Sequence, residues 1–319
     1  MKLKKPKFWD YKKPNLISNI LYPLSILISF FKNKIKTKKI KFDNIKTICV
    51  GNIYVGGTGK TTLALELKKI LDKENIKSCF IKKEYSDQKD EQRLLENNGK
   101  TFIDTFREKA LKQAISEEFQ IAIFDDGLQD NKIDYDISFV CFNKKNFVGN
   151  NRMIPAGPLR ENLSKIDKYK NIFLIGNDED EIILKEKLRT KSPNLNFYGC
   201  SYKLLNIDQF NLKKKYIVFS GIGNHGTFVD MLLKNNFKII NDIEYPDHYN
   251  YKKKDIEYIN KIALDNDAKI ITTEKDFFRL NKEAQLNIEF IKIYLEIKDK
   301  QKLKNQLMNL VNEKHRKVI

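Results

Sequence analysis

VGNIYVGGTGKTT, residues 50–62, is the stretch whose reading decides the fold. It follows the apolar run KTICV (46–50) and leads into LALELKKIL (63–71), whose apolar residues recur at the spacing of an amphipathic helix. Within it, Gly56, Gly57, Thr58, Gly59, Lys60 and Thr61 read G-G-x-G-K-T. The strict phosphate-loop pattern G-x-x-x-x-G-K-[ST] fails, because Tyr54 stands at the first glycine position. The physics survives that change. Glycines let successive backbone N–H groups converge on an anion, and the N-terminus of the following helix adds partial positive charge. Lys60 is expected to reach the β- and γ-phosphates, Thr61 to ligate Mg²⁺ and Thr62 to follow them in the first helical turn. A chance glycine turn before a helix is the alternative.

A nucleotide loop needs an acidic partner. IAIFDDG (121–127) supplies one, since its apolar run ends at Asp125 and Asp126. Carboxylates at the C-terminal end of a parallel strand face the phosphate–metal site. Two acids in an ordinary turn is the bland reading. Together the segments indicate a protein that uses a nucleoside triphosphate.

Outward from the loop, KTICVGN, KSCFIK, IAIFDD, ISFVCF and NIFLIG alternate with helical patterns at 61–72 and 105–118. Apolar runs separated by amphipathic helices imply a mostly parallel sheet in an α/β/α domain of the P-loop NTPase kind. The pattern restarts near residue 215 with YIVFSGIG, a helix over 227–234, FKII, a helix over 252–265, AKIITT, the single run IEFIKIYL and a closing helix. This implies a second, smaller α/β domain. The expected division is 1–45, 46–210 and 211–319.

The 319 residues carry a net charge of +18, which by itself suggests nucleic acid. Residues 1–46, however, hold 13 lysines against Asp10 and Asp43, leaving only +7 for the rest. Between those lysines lies NLISNILYPLSILISFF (15–31), interrupted by Asn19 and Pro23 and shorter than the ~20 apolar residues of a span. No small-residue cleavage site follows, which argues against a signal peptide. A basic–apolar–basic segment suits a helix lying in an anionic membrane interface; packing into the core and a true span are the alternatives. The four cysteines are widely spaced, three of them within apolar runs, as buried reduced thiols are.

GNIYVGGTGKT (51–61), DDGLQ (125–129), NRMIPAGPLRE (151–161), EYPDHYNY (244–251) and TTEKDFFRL (272–280) resemble, in that order, the tetraacyldisaccharide 4'-kinase family of lipid A biosynthesis. The resemblance spans most of the chain. It implies ATP and Mg²⁺, and phosphorylation of the 4'-hydroxyl of an acylated glucosamine disaccharide 1-phosphate lipid. It also implies a peripheral or monotopic protein on the anionic cytoplasmic face of the inner membrane; the concentration of charge in a terminal arm argues against a nucleic-acid partner. By position, Gly56 to Thr62 match the phosphate loop. Thr61, Asp125, Asp126 and Glu161 match the metal site, and Arg160 a phosphate contact. The catalytic base and its partner fall on Asp90, in QKDEQRLL (88–95), and His248. On that reading Asp90 takes the hydroxyl proton and His248 orients it, which requires the second domain to close over the first; Asp87 is the other candidate acid, and Asp90 as a plain helix-start residue the alternative. Three departures stand out: EYSDQKDE (84–91) replaces a Ser-Arg-Gly-Tyr-Gly segment, Thr62 a proline and Asp130 a histidine. The rival class is a membrane-associated deviant P-loop ATPase with a positioning or assembly role. Such proteins place a second lysine before the glycine pair, where this chain has Val55.

Overall fold

The computed structural model describes residues 5–34, 38–85, 89–176 and 181–313; Asp87 lies outside the described residues. In chain order the elements are α1 (Leu16–Lys34), β1 (Lys46–Gly51), α2 (Lys60–Lys73), β2 (Ser78–Lys83), α3 (Lys89–Glu96), β3 (Thr101–Asp104), α4 (Arg107–Ser116), β4 (Ile121–Asp125), β5 (Ile137–Asn143) and β6 (Asn171–Ile175). Then come α5 (Glu181–Arg189), β7 (Asn196–Leu204), β8 (Lys215–Ser220), α6 (His225–Lys234), β9 (Lys238–Glu244) and α7 (Lys253–Asp265). The chain closes with β10 (Ala268–Thr273), α8 (Glu274–Phe277), α9 (Lys282–Gln285), β11 (Ile288–Ile291), β12 (Ile293–Ile297) and α10 (Lys300–Asn312).

Two compact units result. The larger comprises Lys5–Glu84, Asn98–Ser201 and the chain from Leu295. It is built on an eight-stranded sheet in the order β12-β7-β6-β5-β1-β4-β2-β3. From β7 through β3 every neighbouring pair is parallel. β4 and β6 are buried along their whole length, which is why they read as unbroken apolar runs rather than alternating ones. β1 lies near the middle, between β4 and β5, so the loop leaving its C-terminal end opens at the centre of the sheet edge. Phe173 of β6 packs its ring 5.3 Å from Phe139 and stacks 4.9 Å from Tyr198. All four cysteines are buried and free, and burial pushes the Cys79 and Cys200 thiols up to about 12.

The second unit comprises Tyr85–Asn97 and Tyr202–Tyr294. Its four-stranded sheet runs β11-β10-β8-β9, all parallel. α3 belongs here: Leu94 and Leu95 are buried, and Arg93 donates to the Phe278 carbonyl.

These units differ from the ranges expected from sequence: residues 85–97 and 202–210 group with the second unit, and residues 5–45 and the chain from Leu295 with the larger one. The run IEFIKIYL is two strands, not one. It breaks at Lys292, whose N–H donates to the Asn206 side chain and whose carbonyl accepts from Leu205, so β11 edges one sheet and β12 the other. After β12, α10 buries Leu303, Leu307 and Leu310, and Gln306 donates to Asn171 of β6.

α1 reverses the usual amphipathic arrangement. Among its described side chains Ser18 and Ser25 are the buried ones, whereas Leu16, Ile17, Ile20, Leu24, Ile26, Leu27, Phe30 and Phe31 are exposed, Leu16 by 73%. The Ser18 hydroxyl donates to the Ala156 carbonyl at 2.7 Å and that of Ser25 to Met153 at 2.9 Å, while the Ala156 N–H donates to Ser25 at 3.0 Å. The core-packing alternative therefore fails for this helix. No helix among the described residues is long and apolar enough to cross a membrane.

Truncating Phe173 to alanine removes a ring from the centre of the larger core. It should lower stability by about 3–5 kcal/mol, read as a fall in the urea midpoint with the slope unchanged.

Candidate active site

The loop after β1 turns twice through left-handed backbone, at Gly56 (φ 119°) and Gly59 (φ 83°), conformations that a Cβ would strain. Between them the buried Thr58 hydroxyl accepts from Asn52 Nδ2 at 2.8 Å, and the same amide donates to the Gly56 carbonyl at 3.2 Å. Gly59 caps α2 without a side chain. The first-turn N–H groups, from Lys60, Thr61 and Thr62, are thus left to an incoming anion.

Beside the helix start, the Thr61 hydroxyl donates to Asp125 Oδ2 at 3.2 Å. The same oxygen accepts from Lys82 Nζ at 2.7 Å, and both side chains of that ion pair are 0% exposed. Asp125 Oδ1 is buried and has no hydrogen-bond partner among the described residues. An orphaned carboxylate oxygen next to a threonine hydroxyl fits a hard cation such as Mg²⁺, which takes oxygen ligands. Among the described residues no three carboxylate, histidine or cysteine groups cluster as a complete metal cage. A Mg²⁺ here would accordingly draw its remaining ligands from phosphate and water.

Asp126 sits in left-handed backbone (φ 55°), its carbonyl accepting from Arg107 at 2.7 Å. Its carboxylate pairs with Arg160 at 3.0 Å and lies 3.8 Å from Lys60 Nζ. Arg160 also donates to Gln129 Oε1 at 2.8 Å, and Gln129 returns a bond to the Asn52 carbonyl at 2.8 Å. Glu161 accepts from the Tyr169 hydroxyl at 2.9 Å. Burial together with the neighbouring Glu161 charge pushes the Tyr169 phenol far up. The larger unit thus joins Thr61 and Lys82 to Asp125, and Lys60 and Arg160 to the next residue, Asp126, with Glu161 adjoining Arg160 in the chain and bonded to Tyr169.

Asp90 and His248 meet within the second unit. His248 Nδ1 lies 3.2 Å from Asp90 Oδ1, and Arg279 donates to Asp90 Oδ2 at 2.5 Å. His248 is held in left-handed backbone (φ 54°), its N–H on the Gly221 carbonyl at 2.9 Å. Burial alone would raise the Asp90 carboxyl, but the His248 hydrogen bond and the charges of Arg279 and Lys275 hold it well below the usual carboxylate range. The pair needs no closure of one domain on another to form. The reason is that α3 belongs to that unit, where Arg93 donates to the Phe278 carbonyl and Lys275 to Glu91.

Sequence reasoning missed Lys82, Arg107, Tyr169 and Arg279. Lys82 ends an apolar run in a lysine-rich chain, so nothing marked it as buried. The only signal at Arg279 was its place inside TTEKDFFRL.

A mostly parallel sheet with a Gly-Lys-Thr loop opening α2, and a buried aspartate at the adjoining strand end, defines a P-loop phosphate-binding protein. Residues 17–312 match the model of the tetraacyldisaccharide-1-P 4'-kinase family, LpxK. The chain belongs to that family. It is 54% identical to the tetraacyldisaccharide 4'-kinase of Pelagibacter ubique (strain HTCC1062), over 99% of this chain and 100% of that one. It is 32% identical to that of Rickettsia bellii (strain OSU 85-389), over 90% and 92% of the two chains. Its fold is similar to a crystal structure of LpxK from Aquifex aeolicus in complex with ATP, with TM-score 0.66, 22% identity, and 93% of this chain and 100% of that one covered.

Lys82→Met should destabilise the protein by about 3–5 kcal/mol, because it leaves the Asp125 charge buried without its partner. Lys82→Met/Asp125→Asn should recover part of that loss, which equilibrium denaturation of both variants will show.

Proposed function

We propose that the chain transfers the γ-phosphoryl group of ATP to the 4'-hydroxyl of tetraacyldisaccharide 1-phosphate, the kinase step of lipid A biosynthesis, on the cytoplasmic face of the inner membrane. The observation that carries the chemistry is the Thr61–Asp125 contact beside the glycine loop, with Asp125 Oδ1 left unpartnered. Lys60 exchanges the Asp126 carboxylate for the β- and γ-phosphates, and the N–H groups of residues 59–62 hold phosphate oxygens. Thr61 and Asp125, with Asp126 and Glu161 as further carboxylates of the site, would hold Mg²⁺, which would neutralise charge on the transferring group. Arg160 steadies Asp126 and adds positive charge beside the phosphates. The Asp90–His248 pair serves the acceptor hydroxyl, so turnover requires the bound hydroxyl and the γ-phosphate to meet.

The lipid acceptor is reached from a membrane surface. The outward apolar side of α1, together with the lysines that flank it in sequence, supports attachment to anionic lipid without a span. The positive charge is concentrated in that arm, which favours headgroups over nucleic acid as the partner.

Incubating the purified protein with ATP, Mg²⁺ and the disaccharide 1-phosphate in mixed micelles should give a product heavier by one phosphoryl group in mass spectrometry. Lys60→Ala should cut that rate by about 10²-fold or more, as loss of a preorganised charge at a phosphoryl site does. Wild-type turnover by Lys60→Ala at saturating ATP would move the nucleotide elsewhere. On flotation with anionic vesicles, Ile20→Glu/Phe30→Glu should leave the protein in the unbound fraction, and 1 M salt should release the wild type only partly because the apolar side persists once the lysines are screened, at a Debye length of about 3 Å. Complete release by salt would refute the apolar contribution.

A further inference from the structure

Two lysine–aspartate pairs stand beside the nucleotide loop, and they differ in kind. Lys60 Nζ lies 3.8 Å from Asp126, and both side chains keep some contact with solvent, 13% and 16%. Lys82 Nζ lies 2.7 Å from Asp125 Oδ2, and both are 0% exposed. The first pair is loose enough to part when phosphates arrive. The second is a fixture of the fold, because Ile81 pairs with Phe124 in the β2–β4 ladder and so sets Lys82 alongside Asp125.

A buried carboxylate needs a cation. With ATP bound, Mg²⁺ can be that cation; before ATP binds, Lys82 is. We propose that Lys82 is a built-in stand-in for the metal: its ammonium neutralises Asp125 and holds Oδ2, presents Oδ1 to the incoming ion, and makes Mg²⁺ enter together with the phosphates of ATP rather than ahead of them. Lys82 acts through Asp125 and is a positioning residue. The inference rests on Thr61 and Asp125 being the Mg²⁺ site of the kinase reading.

The charges around the site run the same way. Asp125 and Lys82 together carry no net charge. Asp126 is committed to Arg160 at 3.0 Å besides facing Lys60, and Glu161 accepts from Tyr169. A bare divalent cation would therefore meet carboxylates that already have partners, with ammonium and guanidinium groups next to them. Among the described residues no three carboxylate, histidine or cysteine groups form a cage that could outweigh this. A triphosphate reverses the balance, since it brings its own negative charge and the oxygen ligands Mg²⁺ prefers. Asp125 Oδ1, buried and unpartnered, is then a protein oxygen held ready for the ion, with the Thr61 hydroxyl next to it on Oδ2 at 3.2 Å. Metal and nucleotide binding become coupled, each strengthening the other by the same factor.

Mn²⁺ is the probe, because its EPR signal reports binding without turnover. Added to the full-length wild type without nucleotide, it should show no Asp125-dependent binding at millimolar concentration. Lys82→Gln and Lys82→Met remove the charge, and each should bind one Mn²⁺ per chain without nucleotide, at least about tenfold more tightly than the wild type. Their urea midpoints should rise with Mn²⁺, as for any ligand of the folded state, while that of the wild type stays in place. Adding Asp125→Asn to either variant should abolish both effects, which locates the ion. A variant that is unfolded in metal-free buffer and folds when Mn²⁺ is added gives the same answer. Nucleotide-free wild type binding Mn²⁺ at Asp125 as tightly as Lys82→Gln would overturn the proposal. So would the lack of any Mn²⁺ effect on both variants, folded or not. Absence of lipid phosphorylation by the wild type with ATP and Mg²⁺ would defeat the kinase reading instead, and the Mn²⁺ comparison would still decide the role of Lys82.

Discussion

One buried carboxylate sets the terms for the larger unit. Asp125 ends β4, fully enclosed, and a buried charge is tolerated only with a partner and hydrogen bonds. Both come from neighbouring elements: Lys82 from β2 on one side and Thr61 from the first turn of α2, which follows β1, on the other. The pairing therefore depends on register. Asp125 lies opposite Val50 in the β1–β4 ladder, and Phe124 opposite Ile81 in the β2–β4 ladder. A one-residue slip of either ladder would turn the charged ends to opposite faces. The nucleotide loop is level with its acidic partner because this register brings the buried Asp125 charge to Lys82 and Thr61.

The same logic extends to the loop's other flank. Arg160 joins Asp126 and Gln129, and Gln129 returns to Asn52, where the loop begins. Backbone bonds run in parallel, Arg160 N–H to the Ile53 carbonyl at 2.7 Å and Val55 N–H to the Pro158 carbonyl at 2.9 Å. The segment PAGPLRE is thereby a second wall of the loop. Backbone and side-chain hydrogen bonds join it to the loop.

What the sequence made legible follows from which signals are local. Strand–glycine–helix at 46–71 and the apolar runs ending at Asp125 and Ile175 could be read directly, because periodicity and loop chemistry are properties of neighbours in the chain. β3 and β7 escaped: TFID is too short, and NFYGCSYKL mixes glycine with polar residues. IEFIKIYL looked continuous because a break that sends two strands to different sheets is set by Asn206, far away in sequence. Lys82 and Arg279 were hidden for the same reason. A buried cation is recognisable by the carboxylate it meets, and Asp125 and Asp90 are 43 and 189 residues distant. The Asp90–His248 pairing was anticipated, but α3 travelling with the second unit was not, since the contacts that tie it there, Arg93 with the Phe278 carbonyl and Glu91 with Lys275, are between residues far apart in sequence.

α1 shows how an orientation can be fixed by polar groups alone. Ser18 and Ser25 are seven residues apart, two helical turns, and so share one face. That face meets backbone groups of Met153 and Ala156 and the side chain of Asn150, which donates to Ser18 at 3.1 Å. Each bond is worth only about 0.5–1.5 kcal/mol net, but leaving such groups buried without partners would cost about 1–3 kcal/mol each, so the rotation of the helix is strongly specified. With the serines committed inward, the leucines, isoleucines and phenylalanines have no alternative to facing outward. Burying that apolar surface outside the protein would return about 25 cal/mol per Å². The loop on which the serines rest is the one that ends at Arg160 and Glu161. The same eleven residues of sequence thus seat the apolar helix on one side through hydrogen bonds and wall the nucleotide loop on the other, where hydrogen bonds are joined by the buried cluster of Ile53, Tyr54 and Leu159.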